Sequence, residues 1–151
     1  MPRDLIILLT AALSTLGFSI LFYVHPRRLI LATLGGVLTC GAYLVAGHFI
    51  DGVFIPNLIG ATVGAAYAEV IARSTRVPVP VYMIPGMIPL APGGALYNTM
   101  FNLVSGEFSA AGDAGMTTLK IALGIAGGIM AASVVGLFIH PRKRARQVPN
   151  P

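Results

Sequence analysis

Leu5-Ile6-Ile7-Leu8-Leu9-Thr10-Ala11-Ala12-Leu13-Ser14-Thr15-Leu16-Gly17-Phe18-Ser19-Ile20-Leu21-Phe22-Tyr23-Val24 contains no charged side chain. A helix rising about 1.5 Å per residue needs roughly 20 apolar residues to cross about 30 Å of hydrocarbon. The apolar region of a secretory leader is shorter, about 7–15 residues, and is followed by a small-x-small cleavage site. Here Arg3 is offset by Asp4 and no such site precedes His25, so the run reads as a retained membrane helix.

The rest of the chain has the same character. Of 151 residues 56% are hydrophobic before any of the 18 glycines is counted, and 10% are charged. A soluble domain carries about 25% charged residues, so a chain this small could not cover its surface with polar groups. Further apolar runs cover 29–50, 53–72, 79–104 and 116–139. The expectation is an all-α integral membrane protein. It forms one polytopic domain of five transmembrane helices (5–24, 29–50, 53–72, 79–104, 116–139), the fourth broken by proline and glycine, with a basic tail at 140–151.

Charge orients the bundle. Arg27, Arg28, Arg73, Arg76, Arg142, Lys143, Arg144 and Arg146 fall after runs one, three and five, while Asp51, Glu107 and Asp113 lie in connections on the other side. Lys and Arg in short loops stay cytoplasmic, which predicts an external N-terminus and a cytoplasmic C-terminus if run four crosses completely. The net charge of +5 is spent on topology, and nucleic acid is not an expected partner. Cys40 is the single cysteine and reads as a small buried packing residue. His25, His48 and His140 sit at run ends without metal-ligand spacing, and no nucleophile elbow, HExxH or phosphate loop occurs. Neither an enzyme nor a cofactor or metal site is expected.

Gly60, Gly64 and Ala68 in run three share one helix face, as do Gly124, Gly128, Ala132 and Gly136 in run five, with Gly127 beside them. Small faces let helices associate closely in lipid. They serve either packing within the chain or contact with another subunit, including a second copy.

The fourth run reads Val79-Pro80-Val81-Tyr82-Met83-Ile84-Pro85-Gly86-Met87-Ile88-Pro89-Leu90-Ala91-Pro92-Gly93-Gly94-Ala95-Leu96-Tyr97-Asn98-Thr99-Met100-Phe101-Asn102-Leu103-Val104. Pro85, Pro89 and Pro92 lack amide hydrogens and obstruct the preceding turn, so one continuous helix is not expected. Freed peptide groups cannot face hydrocarbon and must lie inside protein or beside a wet cavity. If Gly93 and Gly94 open a second half-helix, its free amides favour an anion such as a carboxylate. Asn98 and Asn102 are one turn apart, with Tyr97 and Thr99 nearby, and can bond a polar solute. A proline kink whose polar residues satisfy loosened backbone groups explains the same residues.

Ile88-Pro89-Leu90-Ala91-Pro92-Gly93-Gly94-Ala95-Leu96-Tyr97 resembles the PLVPG-type signature of the threonine/serine exporter family, with Ala91 where valine is frequent. Gly17-Phe18 with Phe22, Pro26-Arg27 and the stretch from Glu69 to Arg73 support the resemblance, which covers nearly the whole chain. It implies a small, purely membrane-embedded subunit in the bacterial cell membrane that works with a larger subunit of the same family. It further implies export of threonine and serine driven by the proton motive force, or, in some split pairs, of dicarboxylates such as succinate. A membrane scaffold that carries no solute is the competing reading. On this basis Pro89, Pro92, Gly93, Gly94, Tyr97, Asn98 and Asn102 are candidates for a substrate path.

Two charged residues join them. Glu69 lies within run three, where a charge at bilayer depth costs about 2.5–3.5 kcal/mol and often marks function. Arg73, four residues on, is placed to pair with it. Lys120 sits near the outer end of run five, where it can snorkel to the headgroups or face a path for carboxylates.

Overall fold

The computed structural model describes residues 2–139, with side chains over 3–136. Helix α1 spans Pro2–Leu21 and α2 spans Leu29–Phe49, joined through a single 3-10 turn at Pro26–Arg28. α3 spans Phe54–Thr75. The fourth run forms α4, Pro80–Met87, a 3-10 turn at Ile88–Leu90, and α5, Gly93–Val104. α6 covers Phe108–Ile139. The described residues are all helix and connecting turns. Four stretches, Arg3–Leu21, Pro26–Phe49, Phe54–Thr75 and Phe108–Gly136, are long and apolar enough to cross a membrane. The basic tail expected at 140–151, with His140, lies outside the described residues.

α1, α2, α3 and α6 pack in that order, each against the next; α4 fills the angle between α2 and α3, and α5 lies on α6. Small residues make this possible. Thr15 of α1 stands directly against Gly36, and Thr39 of α2 directly against Gly64. Both hydroxyls are fully buried, and each donates to a carbonyl one turn back in its own helix, Thr15 to Ala11 at 2.8 Å and Thr39 to Gly35 at 2.7 Å. The hydroxyl is thus satisfied without a partner across the interface, leaving only its compact shape to pack on glycine.

α4 is anchored by Tyr82. Its ring is 1% exposed and packs on Ala32, Ala68 and Ala72, while its hydroxyl donates to Thr75 Oγ1 at 3.1 Å. Ala68 and Ala72 continue the small face that begins at Gly60, so one row on α3 serves α2 above and α4 below.

α6 runs parallel to α3, the contacts advancing along both helices together. A Cβ on Gly124 would lie 2.6 Å from the Phe54 carbonyl oxygen and one on Gly128 2.5 Å from that of Leu58, while Gly136 faces the Glu69 carboxylate. Since Gly124 already meets the start of α3, residues 108–120 continue roughly 20 Å beyond it, with α5 alongside. Thr99 and Thr118 hydroxyls lie 3.4 Å apart across this hairpin.

The helix starts earlier than the apolar run implies. Run five begins at 116, yet α6 begins at Phe108, and most of 105–115, expected as an outer connection, is helical. Gly106, at φ +80°, reverses the chain, and the Glu107 amide donates to the Asn102 carbonyl at 2.9 Å. Packing on α5 holds helix where hydropathy alone marks none, and Glu107, just ahead of Phe108, suits the positive end of a helix dipole. α3 likewise runs on to Thr75, three residues past the apolar run, closing on Arg76 in the left-handed region at φ +54°.

Candidate functional site

The break in the fourth run borders a cavity of about 230 Å³ lined by Pro89, Leu90, Pro92, Gly94, Tyr43 and Asn57, with Ala91, Ala95 and Ile121. Its construction follows from the proline and glycine chemistry. Pro92, at ψ +45°, stands just ahead of α5, and its carbonyl accepts from the Leu96 amide at 2.9 Å. The Gly93 amide turns back to the Ala91 carbonyl at 2.8 Å. The amides of Gly94 and Ala95 therefore remain without a backbone partner among the described residues, and both residues border the cavity. Positions 93 and 94 face open space, with nothing within 4 Å of where a Cβ would stand.

The opposite wall is polar. Asn57, 3% exposed in the first turn of α3, donates its side-chain amide to the Val53 carbonyl at 2.7 Å. Its carbonyl oxygen has no hydrogen-bond partner among the described residues. Free amides at a helix start attract a carboxylate, and an amide oxygen accepts from an ammonium or hydroxyl. Asn57 and Tyr43 were missed in the sequence; the available signal was an asparagine one turn into an apolar helix, directly after Pro56.

Of the sequence candidates, Pro89, Pro92 and Gly94 meet at this cavity, and Gly93 starts the helix above it. Tyr97 and Asn98 do not line it. Both are exposed on α5, and the Tyr97 ring stacks on Phe101 with centroids 6.1 Å apart. Asn102 is half-buried near the end of α5, its carbonyl holding the turn into α6. Lys120 is exposed beside Ile121, in the fourth turn of α6 because that helix begins eight residues ahead of the apolar run.

Glu69 lies elsewhere. Its Oε2 accepts from Arg73 Nη2 at 3.0 Å, and the same nitrogen donates to the Gly136 carbonyl at 3.2 Å. The pair borders a second cavity, of about 370 Å³, between α3 and α6. Ile121 borders the first cavity and Gly136 the second, so the two are separated by about 22 Å along α6. The break consequently lies toward the end opposite the basic residues. Arg28 and Val77 share the walls of a further pocket, and Arg73 reaches Gly136, so the α1–α2 junction, the end of α3 and the end of α6 gather at one end.

A family model described as Threonine/Serine exporter, ThrE, matches residues 7–135. Comparison with curated proteins and with solved structures gave no match. The match reaches into every described helix of the bundle and takes in the lining of both cavities apart from Gly136: the chain belongs to the threonine/serine exporter family and is a multi-pass membrane transport protein.

Proposed function

We propose that this chain is the small membrane subunit of an exporter of threonine and serine, driven by the proton motive force and completed by a larger subunit of the same family. The observation that carries this reading is the polar cavity at the break, where two free amides face Asn57 across a space sized for a small solute. α4, the 3-10 turn and the first turn of α5 make the fifth crossing, with the basic ends cytoplasmic and the N-terminus outside. Pro89, Pro92, Gly93 and Gly94 shape the path. Tyr97, Asn98 and Asn102 continue it along α5, where the larger subunit closes over their exposed side, and Lys120 draws anionic groups toward it. The bacterial cell membrane is the proposed location.

The test is efflux of labelled threonine, serine or succinate from proteoliposomes holding this chain alone, the pair, or the pair with Gly94→Leu or Asn57→Leu. Gly94→Leu enters open space, so it should lower threonine export at least about tenfold, about 1.4 kcal/mol, at unchanged folded yield. Export of succinate alone would establish the dicarboxylate reading instead. A pair that moves no solute, although the chain stabilises its partner, would establish the scaffold reading.

A further inference from the structure

Glu69 and Arg73 form an ion pair, yet neither residue is saturated by it. The Glu69 side chain is 15% exposed and uses Oε2 for the pair; its Oε1 accepts no hydrogen bond among the described residues. Arg73 uses Nη2 for both of its bonds, leaving the donors on Nη1 and Nε uncommitted among the described residues. Arg73 is itself 43% exposed, but a pair present only to neutralise charge would be expected to pack closed around its less exposed member, Glu69, because an incompletely satisfied carboxylate is costly there. Instead it borders about 370 Å³ of space, toward the small end of the roughly 300–1,000 Å³ usual for ligand sites. Gly136 is what lets the carboxylate sit there, since any Cβ at that position would fall on it.

We infer that this cavity binds the zwitterionic head of an α-amino acid, with Arg73 holding its carboxylate and Glu69 its ammonium. The inference rests on the exporter reading above and names how that exporter recognises its cargo. The ligand's carboxylate meets the free guanidinium donors and its ammonium meets Oε1, so four charges alternate in sign around the site while the Glu69–Arg73 bond persists. The wall formed by Thr62, Ala66 and Val70 leaves room for a short side chain. The Thr62 hydroxyl already donates to the Leu58 carbonyl at 2.7 Å, so it offers the ligand only an acceptor. A dicarboxylate would bring its second negative charge against Glu69, which disfavours it through like-charge repulsion. The cavity lies at the end that gathers the basic residues, the side from which an exporter in the proposed orientation must load.

Equilibrium binding of labelled threonine to the purified chain in lipid nanodiscs, with any larger subunit that co-purifies, tests this. Competitors are unlabelled threonine, N-acetylthreonine, threonine methyl ester and succinate. In the wild type each blocked analogue should compete at least about tenfold more weakly than threonine, the scale of one lost charge-assisted bond. Glu69→Gln should close the gap for N-acetylthreonine, and Arg73→Gln the gap for the methyl ester. Ala66→Leu fills the cavity without touching either charge, and should weaken threonine binding even if the charge variants do not fold. Wild-type binding of threonine with both gaps intact in folded Glu69→Gln and Arg73→Gln, or with Ala66→Leu without effect, overturns the inference while the exporter reading stands. A wild type that binds succinate and no amino acid overturns both.

Discussion

Two adjacent glycines of α6 should respond to the same substitution with opposite signs. A Cβ on Gly128 would lie 2.5 Å from the Leu58 carbonyl oxygen, 2.7 Å from the Ala61 Cβ and 2.9 Å from the Thr62 amide nitrogen. These atoms belong to α3 backbone or sit directly upon it, so no rotamer change relieves the contact, and Gly128→Ala must push the helices apart. Overpacking of this kind costs about 1–3 kcal/mol. A Cβ on Gly127 would find only Leu58 Cδ1, at 3.6 Å, an ordinary contact. There the change removes a glycine from a helix interior and should stabilise by roughly 0.5–1 kcal/mol. The chain carries its own reporter: Cys40 is its single cysteine, 4% exposed within α2. Thiol labelling in mild detergent follows the fraction of molecules that open, and a 2 kcal/mol loss would raise that fraction about thirtyfold. Labelling should therefore be much faster in Gly128→Ala and no faster than wild type in Gly127→Ala. Equal rates in the two variants would refute the close α3–α6 approach on which both cavities depend.

Other expectations follow from single contacts. Tyr82→Phe keeps the ring among Ala32, Ala68 and Ala72 but loses its bond to Thr75, so it should destabilise by about 1 kcal/mol, read as a shift in the Cys40 labelling midpoint with temperature. In a Cys40→Ala background, Ser105→Cys should react with an impermeant thiol reagent from outside intact cells, and Ser74→Cys only after the membrane is opened. The reverse pattern would invert the proposed orientation.

The membrane class and the four long helices were legible from hydropathy because lipid imposes a length and an absence of charge that sequence displays directly. The proline and glycine pattern marked where the fourth run departs from a single helix. A charge inside an apolar run marked Glu69, and Arg73 followed from it, because a spacing of four residues is a property of one helix. The family itself was readable at residues 88–97, since a local signature survives without knowledge of packing.

Everything that joined one helix to another needed the folded chain. Asn57 and Tyr43 lie on different helices from the break they face, and no periodicity within a run records that meeting. Gly136 was visible as part of a small face, but its role as the seat for the Glu69 carboxylate depends on the register of α6 against α3. The early start of α6 depends on α5 lying beside it. Hydropathy and local spacing are one-dimensional and were sufficient for the helices, the charge pair and the site of the break. The two cavities are spaces between helices, and their walls are set by how closely glycine and alanine faces let separate backbones approach.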